Sequence, residues 1–243
     1  MIDENQIVPY TDVRLPVEEG PWLVFAPHAD DESFGMGGTL AKATETGIQV
    51  HLVVMTDGAL GGQLENLAEI RKAEARSAAA MLGLEPPVLL NNRDRELKFD
   101  DESIHQVLGQ IRKINPAAVF FPGVFELHPD HRMTALIVWK ALQNLGHTSI
   151  RPVSYEILVQ SPINMLVDIT SYIPTKKTVM ALYGSQLAEN PYIDITMAMN
   201  SLRSLTLGPE IKYAEGFYTY ERQQLTKDLM NIMTDKIYRY LEP

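Results

Sequence analysis

The chain has 243 residues, 45% of them apolar and 21% charged, with 21 Lys and Arg against 31 Asp and Glu for a net charge of −10. Such a surface repels phosphate backbones, and no dense Lys/Arg run offsets it, so nucleic acid is not the expected partner. Cysteine is absent, which removes disulfide scaffolds, thiolate metal sites and cysteine nucleophiles together.

In chain order, the apolar run at residues 22–26 stops at Pro27 and predicts a buried strand. Residues 36–46 suit a helix ended by Gly47, and 51–55 repeat the strand pattern before Thr56-Asp57-Gly58. Residues 67–82 form an Ala-rich helix stopped by Gly83, and 87–90 a third strand. Ile104, Leu108 and Ile111 recur at helical spacing over 101–114, and 117–121 are a fourth strand ended by Pro122-Gly123. A helix over 131–145 and a strand over 153–159 follow, then a short strand over 164–169 and helices over 176–187, 197–205 and 223–240. Strands alternating with helices predict an α/β fold, a mostly parallel sheet of about five to six strands with helices on both faces. No repeat or linker divides the chain, so residues 1–243 are read as one domain. An acidic start without an apolar leader, and no run of about 18 apolar residues, predict a cytoplasmic protein with no membrane span.

Ligands of open α/β sheets bind outside the carboxyl ends of the strands. There the sequence places Pro27-His28-Ala29-Asp30-Asp31-Glu32 after the first strand and His128-Pro129-Asp130-His131 after the fourth. Imidazole and carboxylate suit zinc and related divalent metals, and a catalytic zinc takes three protein ligands. His28 and Asp31 supply a close pair, and His131 or His128 a remote third. Asp30 is then a spare carboxylate for general base work. The plainer alternative is acidic residues favouring a helix N-terminus and a histidine packed at a helix start.

These residues resemble the PIG-L/LmbE-like family of metal-dependent N-acetylglucosaminyl deacetylases. The family's P-H-x-D-D-E and H-x-D-H motifs match residues 27–32 and 128–131, with Ala29 where many members have proline. Thr56-Asp57-Gly58 fits its T-x-G turn, Arg71-Lys72-Ala73-Glu74 its R-x-x-E segment, and Lys177, Tyr183, Ser185 and Gln186 a later K…Y-x-S-Q segment. The resemblance implies a Rossmann-like fold and removal of an N-acetyl group from a small amino-sugar conjugate. By motif position it implies His28, Asp31 and His131 as metal ligands and Asp30 as general base. His128 becomes the oxyanion stabiliser, and Asp130 the carboxylate that orients a histidine; Asp130 favours the charged form of His128, and the metal's charge opposes it. Zinc is the expected metal, with Fe2+, Co2+ or Mn2+ also compatible.

Arg71 and Glu74, one helical turn apart, are read either as substrate contacts, Arg71 to a sugar hydroxyl or anionic group, or as a surface pair. Tyr183 is read as a substrate contact or as packing. Gly35, Gly37 and Gly38 are assigned to close helix–strand packing, since the dinucleotide fingerprint is not matched. His51 is expected in the core or behind the site, His105 and His147 on the surface, and Glu215 in a turn or late in the pocket. Specificity is expected in loops 59–66, 92–100 and 190–208. Apolar residues of 193–207 (Ile195, Met197, Met199, Leu202, Leu205, Leu207) are read as core or as a homo-oligomer interface. Alternatives to amino-sugar deacetylation are a metal-dependent amidase on a non-sugar N-acyl group and a binding protein without turnover.

Overall fold

Trp22, Val24 and Ala26 of strand β1 (Trp22–Ala26) enter one hydrophobic core, and Leu23 and Phe25 enter another. Successive strand side chains point to opposite faces, so a strand buried on both needs helices above and below it. The structure, a computed structural model, describes residues 13–146 and 149–239. The chain continues through α1 (Asp31–Glu45), β2 (Val50–Thr56), α2 (Leu67–Leu82), β3 (Val88–Asn92), α3 (Asp101–Ile114), β4 (Ala118–Pro122), α4 (Pro129–Gln143) and β5 (Arg151–Tyr155). Helices α1 and α2 cover the Trp22 face; α3 and α4 cover the Leu23 face.

The remainder is β6 (Met165–Asp168), α5 (Ile173–Met180), α6 (Gly184–Leu187), α7 (Tyr192–Arg203), β7 (Ala214–Thr219) and α8 (Leu229–Arg239). The seven strands lie in the order β3-β2-β1-β4-β5-β7-β6. Strands β1 to β5 are parallel, and β7 runs antiparallel to both β5 and β6. Winding reverses between the neighbours β1 and β4, which opens a crevice at their carboxyl ends. Both His/Asp clusters follow those two strands.

The sheet therefore has one strand more than the five to six expected. The turn expected around Glu215 is the buried strand β7, which a glutamate and a glycine hide from an apolar pattern. The helix expected over 176–187 is two, parted at Tyr183, whose φ of −88° and ψ of 55° are not helical. The C-terminal helix begins at Leu229, after a short 3-10 segment at Arg222–Thr226; its expected end, Tyr240, and His147 lie outside the described residues. Of the apolar residues of 193–207, Met197 is buried, whereas Ile195, Leu202 and Leu205 are exposed.

Helix α1 is broken at Met36 (φ −141°, ψ 21°). Just past the break, the N–H groups of Gly38 and Thr39 donate to the Glu215 carboxylate at 2.9 and 2.7 Å. Lys176 of α5 meets that carboxylate at 2.6 Å and donates to Asn200 of α7 at 2.9 Å. Lys176 and Glu215 are fully buried, so the pair caps the second half of α1 from within the core. A Cβ at Gly35 would lie 2.6 Å from the Glu156 carbonyl oxygen, and one at Gly38 would lie 2.7 Å from Ile169. Both glycines thus serve close packing.

Candidate active site

Asp30 links β1 to α1 with φ 142° and ψ −31°, a strained conformation for a residue with a Cβ. The turn brings Asp31, the first helical residue, back over His28. Asp31 Oδ2 accepts from the His28 backbone N–H at 2.8 Å and lies 3.1 Å from His28 Nδ1. His131, in the first turn of α4, places Nε2 3.2 Å from the same oxygen. In the protein alone these are hydrogen-bonded ion pairs, and they are also compatible with a shared metal, since ligands at about 2.0–2.1 Å in tetrahedral array stand roughly 3.3 Å apart. His28, His128 and His131 also offer ring nitrogens within 4.8 Å of one another. The donor set, nitrogen with carboxylate oxygen, suits a divalent metal of the zinc type.

The far side of His28 is held by carboxylates. Its Nε2 lies 3.2 Å from Asp94 Oδ1 and 3.3 Å from Asp130 Oδ2. Asp130 accepts from the Arg95 N–H at 2.7 Å, and Asp94 from the Leu60 N–H at 3.0 Å. Carboxylates placed so fix a metal-binding imidazole's tautomer and raise its basicity. Burial alone would lower the His28 pKa, but hydrogen bonds to Asp130, Asp31 and Asp94 raise it well above the usual value. Asp31 is held far below the carboxylate range: burial opposes its charge, and His131 and His28 outweigh that. His131 likewise rises to about 9, against burial, through Asp31.

His128 caps α4. Its Nδ1 accepts from the Asp130 N–H at 3.2 Å and lies 4.0 Å from the Asp130 carboxylate, beyond a hydrogen bond. Burial, then the charges of His28 and His131, push its pKa down to about 4. Asp130 favours the charged ring of His128, but burial and the two neighbouring histidines outweigh it. With Nδ1 accepting, the ring is neutral and its proton sits on Nε2, still a donor. Asp130 orients His28 by its side chain and His128 by its backbone.

Arg71 is buried and reaches across from α2. Its Nη2 donates to Asp30 Oδ1 at 3.1 Å and to the Ala29 carbonyl at 3.0 Å. Asp30 is raised to about 7, by burial first, with Arg71 opposing. Both line a cavity of about 350 Å³ together with His28, Asp31, Asp94, His128 and His131. Phe34, Leu60, Gln63, Arg95, Ile157, Leu158, Glu189, Asn190 and Tyr192 complete much of its wall.

Two expected substrate contacts lie elsewhere. Glu74 does not pair with Arg71; its carboxylate accepts from Ser185 N and Oγ at 2.9 and 2.7 Å, pinning α6 to α2. Tyr183 is fully buried and donates to Glu32. Neither lines the cavity. His51 is half-buried on β2 and His105 is exposed on α3, both away from the cavity.

Three contributions escaped the sequence reading. Asp94 lies two residues past β3 at the same rim, inside the 92–100 loop, where position alone could have flagged it. Glu126, 1% exposed, lies two residues before His128. Ile157 and Leu158 were assigned to a strand, but β5 stops at Tyr155 because the N–H groups beyond it turn onto Glu126.

The geometry agrees with comparisons to known proteins. Residues 23–142 match the PIG-L family, GlcNAc-PI de-N-acetylase. The Bacillus anthracis protein named "Probable N-acetyl-alpha-D-glucosaminyl L-malate deacetylase 2" is 28% identical over 185 residues, spanning 68% of this chain and 81% of that one. Diacetylchitobiose deacetylase of Thermococcus kodakarensis is 33% identical over 146 residues, 57% of this chain and 52% of that one. The solved N,N'-diacetylchitobiose deacetylase from Pyrococcus horikoshii, in complex with an inhibitor, superposes with a TM-score of 0.77 at 28% identity, covering 86% of this chain and 87% of that one. The chain carries a PIG-L family domain with the LmbE-like deacetylase fold.

Proposed function

We propose that this protein is a zinc-dependent N-deacetylase that hydrolyses the acetamide of a small amino-sugar conjugate. The observation that carries the reading is the convergence of His28 Nδ1, Asp31 Oδ2 and His131 Nε2 beside Asp30, a carboxylate outside that set, in one cavity. His28, Asp31 and His131 would hold the metal. His128, 29% exposed at its side chain and facing the cavity, is left for the substrate.

Bound in that set, a divalent cation would acidify the attacking water and polarise the amide carbonyl. Asp30 accepts the water's proton as attack begins. Arg71 keeps the Asp30 carboxylate aimed inward. The Nε2–H of His128 donates to the oxygen on which negative charge develops. Asp30 or His128 then returns a proton to the departing nitrogen, giving acetate and a free amine. The family match and the named relatives support an N-acetyl amino sugar as substrate class.

The test is acetate release from a panel of N-acetyl amino sugars by zinc-loaded protein, repeated after chelation. Release that chelation abolishes supports the reading; no release from any member of the panel, with N-acyl amines outside the sugars cleaved instead, replaces it with the non-sugar amidase. Exposed Ile195, Leu202 and Leu205 support a homo-oligomer, which the solution mass tests. No helix among the described residues is long and apolar enough to cross a membrane.

A further inference from the structure

Glu126 sits in the loop between β4 and His128, and the reaction outlined above gives it no part. Its carboxylate is buried, and among the described residues no Lys or Arg side chain pairs with it. Its charge is met by backbone. The N–H of Ile157 donates to it at 2.8 Å, that of Leu158 at 3.1 Å and that of Val159 at 3.4 Å. Three successive N–H groups turned on one anion form a nest, here filled by a side chain. The loop they belong to supplies Ile157 and Leu158 to the cavity wall.

The other face of the same carboxylate looks at His131. His131 Nδ1 is buried without a hydrogen-bond partner. Glu126 Oε2 stands 3.7 Å away, an ion-pair separation but too long for a hydrogen bond. An imidazole that gives one nitrogen to a metal carries its proton on the other, and that N–H needs an acceptor. His131 directs Nε2 at Asp31 and leaves Nδ1 to Glu126. Closing the gap to about 2.8 Å completes the bond.

We propose that Glu126 is a positioning residue that joins the metal ligand His131 to the cavity wall at residues 157–159, so that metal loading stiffens the wall that faces the substrate. The proposal rests on the reading of His131 as a ligand. Glu126→Gln separates the two faces of the side chain: the amide oxygen still accepts from the nest, but the charge opposite His131 is gone.

The experiment uses cobalt(II) alone as probe on the full chain. Chelator competition gives the affinity, the visible spectrum reports the coordination, and amide hydrogen exchange follows residues 157–159. Wild-type protein is expected to slow exchange at those amides on taking up cobalt. Glu126→Gln is expected to bind cobalt about 10–100-fold more weakly, the range for lost partners of metal-bound histidines, with a shifted spectrum and no slowing. Glu126→Asp keeps a charge for the nest but draws it back from His131; it is expected to lose affinity likewise, and it serves if Glu126→Gln does not fold. Wild-type affinity and spectrum in either folded variant overturn the proposal. His131→Ala tells the two failures apart: if it keeps wild-type affinity, the ligand assignment itself fails; if it loses cobalt while the Glu126 variants do not, only the role of Glu126 falls.

Discussion

Arg71 Nη2 stands 3.1 Å from Asp30 Oδ1, both side chains in the wall of one cavity and both nearly closed to solvent. Nη2 is committed to that carboxylate and to the Ala29 carbonyl, and Nη1 reaches the Gly58 carbonyl at 3.4 Å, so the contact with Asp30 is one of the bonds that fix the guanidinium in place. We therefore expect Arg71→Met to act through Asp30. Metal content stays, kcat falls at least about tenfold, the low end for general base losses being roughly a hundredfold, and KM changes little. Arg71 opposes the burial that raises Asp30. Its removal raises that carboxyl further, and the acid limb of the rate profile moves to higher pH. A rise in KM with unchanged kcat would return Arg71 to the role of substrate contact.

Asp30→Asn addresses the base directly. The amide keeps the size and a hydrogen bond to Arg71 but accepts no proton. Turnover should fall about 10²–10⁴-fold while zinc content, measured by atomic absorption, stays near one ion per chain. Loss of the metal would mean that Asp30 and Asp31 exchange roles.

Three ligand sets compete: His28, Asp31 and His131, which meet at Asp31 Oδ2; the three histidines His28, His128 and His131; and His28, Asp94, His128 and Asp130. The expected outcome of His131→Ala is loss of metal and activity together. His128→Ala should retain metal and lose at least about tenfold in rate, as an oxyanion donor does. Metal stripped by His128→Ala would place the metal in a set that contains His128: the three histidines if His131→Ala strips it too, or His28, Asp94, His128 and Asp130 if it does not.

The motifs were readable because each follows an apolar strand, and the sheet order set them side by side at β1 and β4. Residues that work through long-range contacts were not. Asp94 meets His28 from 66 positions away, and Glu215 meets Gly38 from 177 away. Their carboxylates look like ordinary surface acids in a sequence. For Tyr183 the sequence left two readings, pocket by motif position and packing by its helix, and the structure takes the second: its ring fills the core beside Phe34. Arg71 and Glu74 share a helix turn, yet each is claimed by a different distant segment, Asp30 for one and Ser185 for the other.

Metal uptake should be strongly pH-dependent. In the metal-free protein both His28 and His131 hold their protons above the usual 6.5, His131 to about 9. Zinc must displace those protons, so affinity rises as pH increases from 6 towards about 9 and binding releases protons. Calorimetry in buffers of different ionisation enthalpy measures the release. The sign for stability is opposite. The raised His131 pKa means that its pairing with Asp31 stabilises the metal-free fold in full below about 6.5 and is lost as pH climbs through about 9. Proton-neutral zinc binding at pH 7 would contradict both statements.

The Lys176–Glu215 pair ties four elements behind the site, and its removal should separate stability from chemistry. Neither group reaches the cavity, and neither is exposed. Lys176→Met leaves the Glu215 carboxylate buried with only the N–H groups of Gly38 and Thr39 to meet its charge. Breaking one side of a buried pair typically costs about 3–5 kcal/mol. Lys176→Met combined with Glu215→Gln removes the stranded charge, and the amide oxygen still caps the second half of α1. The double variant should therefore be more stable than Lys176→Met alone, by urea unfolding of the metal-free protein. Because α1 also carries Asp31 at its start, the single variant should bind zinc more weakly and the double variant recover most of that affinity. If the double variant is less stable than Lys176→Met, charge is not what the pair supplies, and the capping of α1 by Glu215 depends on its full carboxylate.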